Sequence, residues 1–225
     1  MLYRFLRGLA HLYFKIFLRY EVKGKENIPR EGGAVICANH IHLLDPAAIA
    51  VNTERTVSFL AKKELYGNRF NIWFFGKLNA IPIQRDGTDA LGALKAMRVL
   101  KSGGILGIFP EGTRERNRGL MEFKGGAAML AVKTKVPIVP VYIQGRYSPF
   151  AKLSVLFGEA IPAGFIAEKR RIPQERIPQE HSSQEQSPQE QSSQELSSQE
   201  LSSQELSDEI NREIANRILA LKESL

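Results

Sequence analysis

The run Gly33-Ala34-Val35-Ile36-Cys37 is apolar throughout and too short for a helix, so it reads as a buried strand. Thr56–Ala61, Ile105–Phe109 and Ile138–Gln144 repeat the pattern, Asn79–Gln84 and Leu153–Gly158 read as shorter strands, and Arg19–Ile28 as the first. Between them, Asp89–Lys101 carries Leu91, Leu94, Met97, Val99 and Leu100 among Lys95, Arg98 and Lys101, with Gly103-Gly104 as its stop. Gly125–Lys135 is a second helical segment. Strand, helix, strand at this spacing implies an α/β layer architecture that binds ligands at the C-terminal ends of its strands.

The residues between Cys37 and this register carry the first chemistry. Ala38-Asn39-His40-Ile41-His42-Leu43-Leu44-Asp45-Pro46 delivers His40 from a strand end into a turn, and Asp45-Pro46 opens a helix through Val51. A neutral imidazole accepts a proton near pH 7, and a carboxylate one turn away can fix its tautomer and stabilise the imidazolium. The same residues also suit a satisfied polar turn. His40-x-His42 with an acid is a poor metal site, because the chain has only four His and one Cys, with His11 and His181 far away in an N-terminal helix and a low-complexity tract.

Charge narrows the partner. Net charge is +7, but residues 173–207 hold seven Glu and one Arg, so the remainder carries +13, an excess suited to phosphate on lipid or nucleic acid. Residues 2–20 hold four Arg or Lys and no acid; Leu2, Phe5, Leu6, Leu9, Tyr13, Ile16, Phe17 and Tyr20 recur at helical spacing, opposite Arg4, Arg7, His11, Lys15 and Arg19. The longest uncharged run in this segment, Gly8–Phe14, is seven residues, against the roughly twenty a spanning helix needs, so the segment is expected to lie on a membrane. Charges interrupt its apolar region and no small-residue cleavage site follows, so it does not read as a cleavable signal. Aromatics on apolar helical faces, not interleaved on a basic platform, argue against a nucleic-acid partner. A single Cys leaves no internal disulfide and suits a reducing cytosolic face. Asn68–Gly76, dense in aromatics, fits either the core or a second membrane-facing patch admitting a lipid tail.

Three further blocks follow the His40 stretch: Gly76-Lys77-Leu78-Asn79-Ala80-Ile81-Pro82-Ile83-Gln84-Arg85, Phe109-Pro110-Glu111-Gly112-Thr113-Arg114 and Val136-Pro137-Ile138-Val139-Pro140-Val141. With Asn39–Asp45 they resemble, in order, the four blocks of the glycerolipid acyltransferase superfamily, over roughly residues 1–165. The resemblance implies a single mixed, largely parallel sheet flanked by helices. It also implies transfer of a fatty acyl group from a thioester donor, acyl-CoA or acyl carrier protein, to lysophosphatidic acid at the cytoplasmic face of the membrane, without cofactor or metal. In that pattern His40 is the general base and Asp45 its orienting partner; Arg85 and Arg114 hold the acceptor phosphate, Glu111, Gly112 and Thr113 line its site, and Lys124 is a lesser phosphate candidate. Guanidinium groups suit phosphate because they donate paired hydrogen bonds. Two positions depart from the pattern: His42 stands where Ser or Gln is common, fitting proton transfer or simple packing, and Gln84 stands where an acid is common. The alternatives are a sibling acceptor, such as glycerol-3-phosphate or another lysophospholipid, and a non-catalytic protein binding anionic lipid.

From Pro173 to Ser207 the chain is seven five-residue units such as SQELS. A period of five advances about 140° per unit on a helix, so Leu196, Leu201 and Leu206 do not share a face. With almost no apolar residues, the tract is expected to be disordered or a fluctuating helix. The stripe Ile210, Ile214, Ile218 and Leu221 makes 208–225 a helix that closes the domain. The expected organisation is therefore an amphipathic segment 1–20, a catalytic domain 21–170, the repeats 173–207 and the terminal helix.

Overall fold

The computed structural model describes residues 1–84, 89–111, 126–163, 165 and 188–224, with backbone alone over 188–204. Seven strands form one sheet in the order β1-β7-β6-β2-β5-β3-β4. They are β1 Arg19–Lys23, β2 Ala34–Ala38, β3 Val57–Lys62, β4 Ile81–Ile83, β5 Ile105–Ile108, β6 Ile138–Gly145 and β7 Lys152–Phe157. Every neighbouring pair is parallel except β6 with β7. The mixed, largely parallel sheet expected from the blocks is therefore the fold. The first strand is shorter than the expected Arg19–Ile28, because Gly24 at φ 70° turns the chain into a single 3-10 turn at Lys25–Asn27.

Each face of the sheet has its own cover. On one face α1 (Leu2–Phe17) and α2 (Asp45–Ala50) lay Phe14, Ala48 and Ile49 on Ile36, Ala38, Ile105, Val139 and Val141. On the other, α4 (Ala90–Lys101), α5 (Gly126–Thr134) and a long helix α6 (Pro188–Glu223) cover Val35, Cys37, Leu106, Ile108 and Ile138. Successive residues of β2 thus enter opposite cores, which is why its sequence is apolar at every position.

Helix α1 departs from a simple two-faced helix. Its core-facing side is led by Phe14, and Arg7, expected on the polar side, donates to the carbonyls of Thr53 and Glu54 at 2.9 and 3.3 Å. Phe5, Leu9, Leu12 and Ile16 form a separate, exposed apolar stripe at i, i+4, i+7 and i+11. The aromatic segment is α3 (Arg69–Lys77), started by Asn68, whose side chain accepts the Asn71 N–H at 2.8 Å. Phe70, Ile72 and Trp73 are each more than half exposed and α3 contains no buried residue, so the core alternative for this segment falls. On α4, Leu91 and Leu94 are exposed, and Gly92, Ala96 and Leu100 make the packed face.

Of the repeats 173–207, residues 173–187 lie outside the described residues; residues 188–207, expected as disordered or fluctuating helix, are helical as part of α6, and the boundary expected at Asp208 falls inside it. Leu206 stands four residues before Ile210 and extends the buried stripe Ile210, Ile214, Ile218 toward the N-terminus. A helix anchored by such a stripe needs no new nucleus to grow, and Gln, Glu and Leu are good propagating residues. Among the described residues no helix is long and apolar enough to cross a membrane.

Candidate active site

Strand β2 ends beside β5 and β6 at the middle of the sheet, and the chain leaves it through Asn39 and His40. The Asn39 amide takes the place of a further ladder rung: its Nδ2 donates to the Ile143 carbonyl (2.9 Å) and its Oδ1 accepts the Ile143 N–H (2.7 Å). The turn after it therefore leaves the sheet at a fixed point.

The turn winds around one carboxylate. Asp45 is fully buried, and its Oδ2 accepts three bonds at 2.7 Å, from His40 Nδ1 and from the backbone N–H groups of Ile41 and His42. Its Oδ1 accepts the Tyr147 hydroxyl at 2.6 Å. Although it opens α2 as expected, its side chain turns back to the preceding loop, where the bonded donors offset its burial. With the carboxylate accepting only, His40 Nδ1 carries the hydrogen and Nε2 presents its lone pair. The imidazole is 14% exposed and stacks on Phe109, centroids 4.2 Å apart. Among the described residues Nε2 has no partner, so it is the open position of the pair.

His42, two residues on, is committed elsewhere. Its Nδ1 accepts the Leu44 N–H at 3.2 Å and its ring stacks on Tyr147 with centroids 4.5 Å apart, which favours packing over proton transfer. Glu111, just past β5, is buried and its Oε2 accepts the His40 backbone N–H at 3.4 Å, tying the two strand ends together. Arg85, Gly112, Thr113, Arg114 and Lys124 lie outside the described residues. Asn39 and Tyr147 are the site residues that sequence reasoning did not assign. Asn39 stood in the block as an unremarked neighbour of His40, and nothing around Tyr147 pointed to Asp45.

Cys37 is not a nucleophile here. Burial first, and the Glu111 carboxylate second, hold its thiol well above the ordinary range, leaving no thiolate near pH 7. The native protein is expected to release no thiol to Ellman's reagent over an hour, and the denatured chain its single one. Reaction of the native thiol at the unfolded rate would contradict the burial.

A buried carboxylate, an imidazole oriented by it and an open Nε2 thus stand together at the C-terminal end of a central strand, where α/β sheets bind their ligands. Residues 19–144 match the model of a family described as Acyltransferase, and the chain belongs to that family. The 1-acyl-sn-glycerol-3-phosphate acyltransferase of Bacillus subtilis is 30% identical over 71% of this chain and 82% of its own length. That of Streptococcus pneumoniae is 34% identical over 64% of this chain and 55% of its own, so this chain spans little more than half of that relative. Among solved structures, the 1-acyl-sn-glycerophosphate (LPA) acyltransferase PlsC of Thermotoga maritima superposes with a TM-score of 0.59 at 28% identity, covering 72% of this chain and 69% of that one.

Proposed function

We propose that this acyltransferase moves a fatty acyl group from a thioester, acyl-CoA or acyl carrier protein, to the free sn-2 hydroxyl of lysophosphatidic acid, releasing the thiol and phosphatidic acid. The observation that carries the reading is the His40–Asp45 pair: Nδ1 tied to a buried carboxylate at 2.7 Å and Nε2 left to accept a proton. His40 Nε2 takes the hydroxyl proton as the oxygen attacks the thioester carbonyl, and Asp45 stabilises the imidazolium. Collapse of the tetrahedral intermediate breaks the C–S bond, and His40 returns the proton to the departing sulfur. No covalent acyl-enzyme is required, in keeping with the suppressed ionisation of Cys37. Arg85 and Arg114, with Lys124 in a lesser part, hold the acceptor phosphate, and Glu111, Gly112 and Thr113 line its site, as the family resemblance implies.

The acceptor is a membrane lipid, and α1 suits such a surface. Its exposed stripe Phe5, Leu9, Leu12 and Ile16 lies beside the exposed cations Arg4 and Lys15. Apolar insertion flanked by cations is how a helix lies on anionic lipid. On this reading the protein is peripheral and works at the cytoplasmic face of the membrane.

Purified protein mixed with anionic vesicles, radiolabelled acyl thioester and lysophosphatidic acid is expected to yield labelled phosphatidic acid in preference to acylated glycerol-3-phosphate or lysophosphatidylcholine. Turnover of glycerol-3-phosphate alone would move the acceptor to a sibling class. Binding to the vesicles without transfer from either donor would replace the enzyme reading by lipid binding.

A further inference from the structure

We infer that Tyr147 is a positioning residue for the His40–Asp45 pair, holding the second carboxylate oxygen so that the first faces the imidazole. The inference rests on the proposed general-base reading and assigns part of its machinery to a residue outside the segment matched by the family model, which ends at residue 144.

The geometry is asymmetric in a way that calls for such a residue. Three donors converge on Asp45 Oδ2, whereas Oδ1 receives the Tyr147 hydroxyl alone among the described residues. Rotation about the Cβ–Cγ bond would carry Oδ2 away from its three donors and swing its lone pairs from the ring N–H, and a bond on Oδ1 opposes that rotation from the other side of the axis. A donor on the second oxygen fixes the carboxylate plane and hence the imidazole plane. Burial and the neighbouring Asp45 charge both keep Tyr147 protonated, so it remains the donor.

Tyr147 is itself well held. It lies between β6 and β7, just after Gly145, whose φ of 122° turns the chain out of the strand. Its ring stacks on His42 and meets Phe14 of α1 with centroids 5.9 Å apart, and its carbonyl accepts the Tyr13 hydroxyl at 3.1 Å. The Phe150 N–H donates to the Phe17 carbonyl at 2.6 Å, tying the same turn to α1. Helix α1, remote in sequence from the turn, and His42 within it thus hold the tyrosine that holds Asp45.

Tyr147→Phe removes the hydroxyl and keeps the ring. It is expected to lower kcat about tenfold, with KM for donor and acceptor unchanged, because one charge-assisted bond is lost and no substrate contact is. In an Asp45→Asn background the same substitution is expected to change kcat by less than about twofold, since there is no charge left to position. An equal loss in both backgrounds would mean that the hydroxyl serves folding only, and no loss in the parent would mean that it serves nothing. A readout free of turnover keeps the two readings apart. The downfield proton resonance of His40 Nδ1–H, assigned by its absence in His40→Ala, is expected to move in Tyr147→Phe. If that resonance moves in a protein that transfers no acyl group, the positioning stands and the enzyme reading falls. If it stays fixed, the positioning is wrong.

Discussion

His40→Ala is expected to reduce kcat for acyl transfer by about 10³-fold, within the range that removal of a positioned general base produces. The hydroxyl of the acceptor is far too weakly acidic to lose its proton before attack, so a base must take it as the new C–O bond forms. Among the described residues only His40 offers a nitrogen lone pair that is partly exposed, oriented by a buried carboxylate and stacked flat on an aromatic ring. Removing it leaves Asp45 with two backbone N–H donors and the Tyr147 hydroxyl, so the turn stays wound and unfolding is expected to shift by no more than about 2 kcal/mol. Vesicle binding is expected to persist, because the exposed stripe of α1 contains no site residue. Steady-state rates at saturating donor and acceptor, with urea unfolding in parallel, check both halves. A variant that folds, binds vesicles and keeps more than a tenth of parental turnover would leave His40 without a proton to move.

The part of the site written in consecutive residues was legible, and the part assembled by sheet order was not. His40 and Asp45 stand one turn apart after an apolar run, so local geometry alone brings imidazole and carboxylate together. Asn39 with Ile143 and Asp45 with Tyr147 lie 104 and 102 residues apart and meet because β6 is the neighbour of β2. No periodicity marks a tyrosine in a turn as a partner for a distant acid. The strands were readable for a similar reason: a strand between two covered faces is apolar at every position, and that pattern needs no knowledge of its neighbours.

Helices were read less well where one helix serves two surfaces. Residues 2–17 present one apolar side to Ile36 and Val139 and another to solvent, and a single amphipathic axis merges them. Phe14, the buried anchor, was accordingly missed, and Arg7 was placed with the solvated cations although its side chain caps backbone carbonyls near α2. In the C-terminal region the composition of the repeats leaves disorder and fluctuating helix both open, and Leu206 extends the isoleucine stripe by one buried position. From there helix formation continues back to Pro188.

Asp45 separates two functions that His40 cannot, because its carboxylate both winds the turn and charges the pair. Asp45→Asn keeps a carbonyl oxygen that can accept the Ile41 and His42 N–H groups, and its amide can donate to the Tyr147 oxygen in place of the bond it loses. Stability is therefore expected to fall by only about 1 kcal/mol. Turnover is expected to fall about 10²- to 10³-fold, because a neutral amide does not stabilise the imidazolium that forms as the acceptor oxygen attacks. Asp45→Ala removes every acceptor at once, leaving the backbone N–H groups of Ile41 and His42 and the Tyr147 hydroxyl without the fully buried carboxylate they bond. Orphaned buried donors cost about 1–3 kcal/mol each, so this variant is expected to lose about 3 kcal/mol or more and to be inactive. Urea midpoints and kcat measured on both variants make the comparison. Equal destabilisation by Asn and Ala would show that the charge itself holds the turn, whereas an Asn variant with near-parental kcat would remove Asp45 from the chemistry and leave it as a purely structural acceptor.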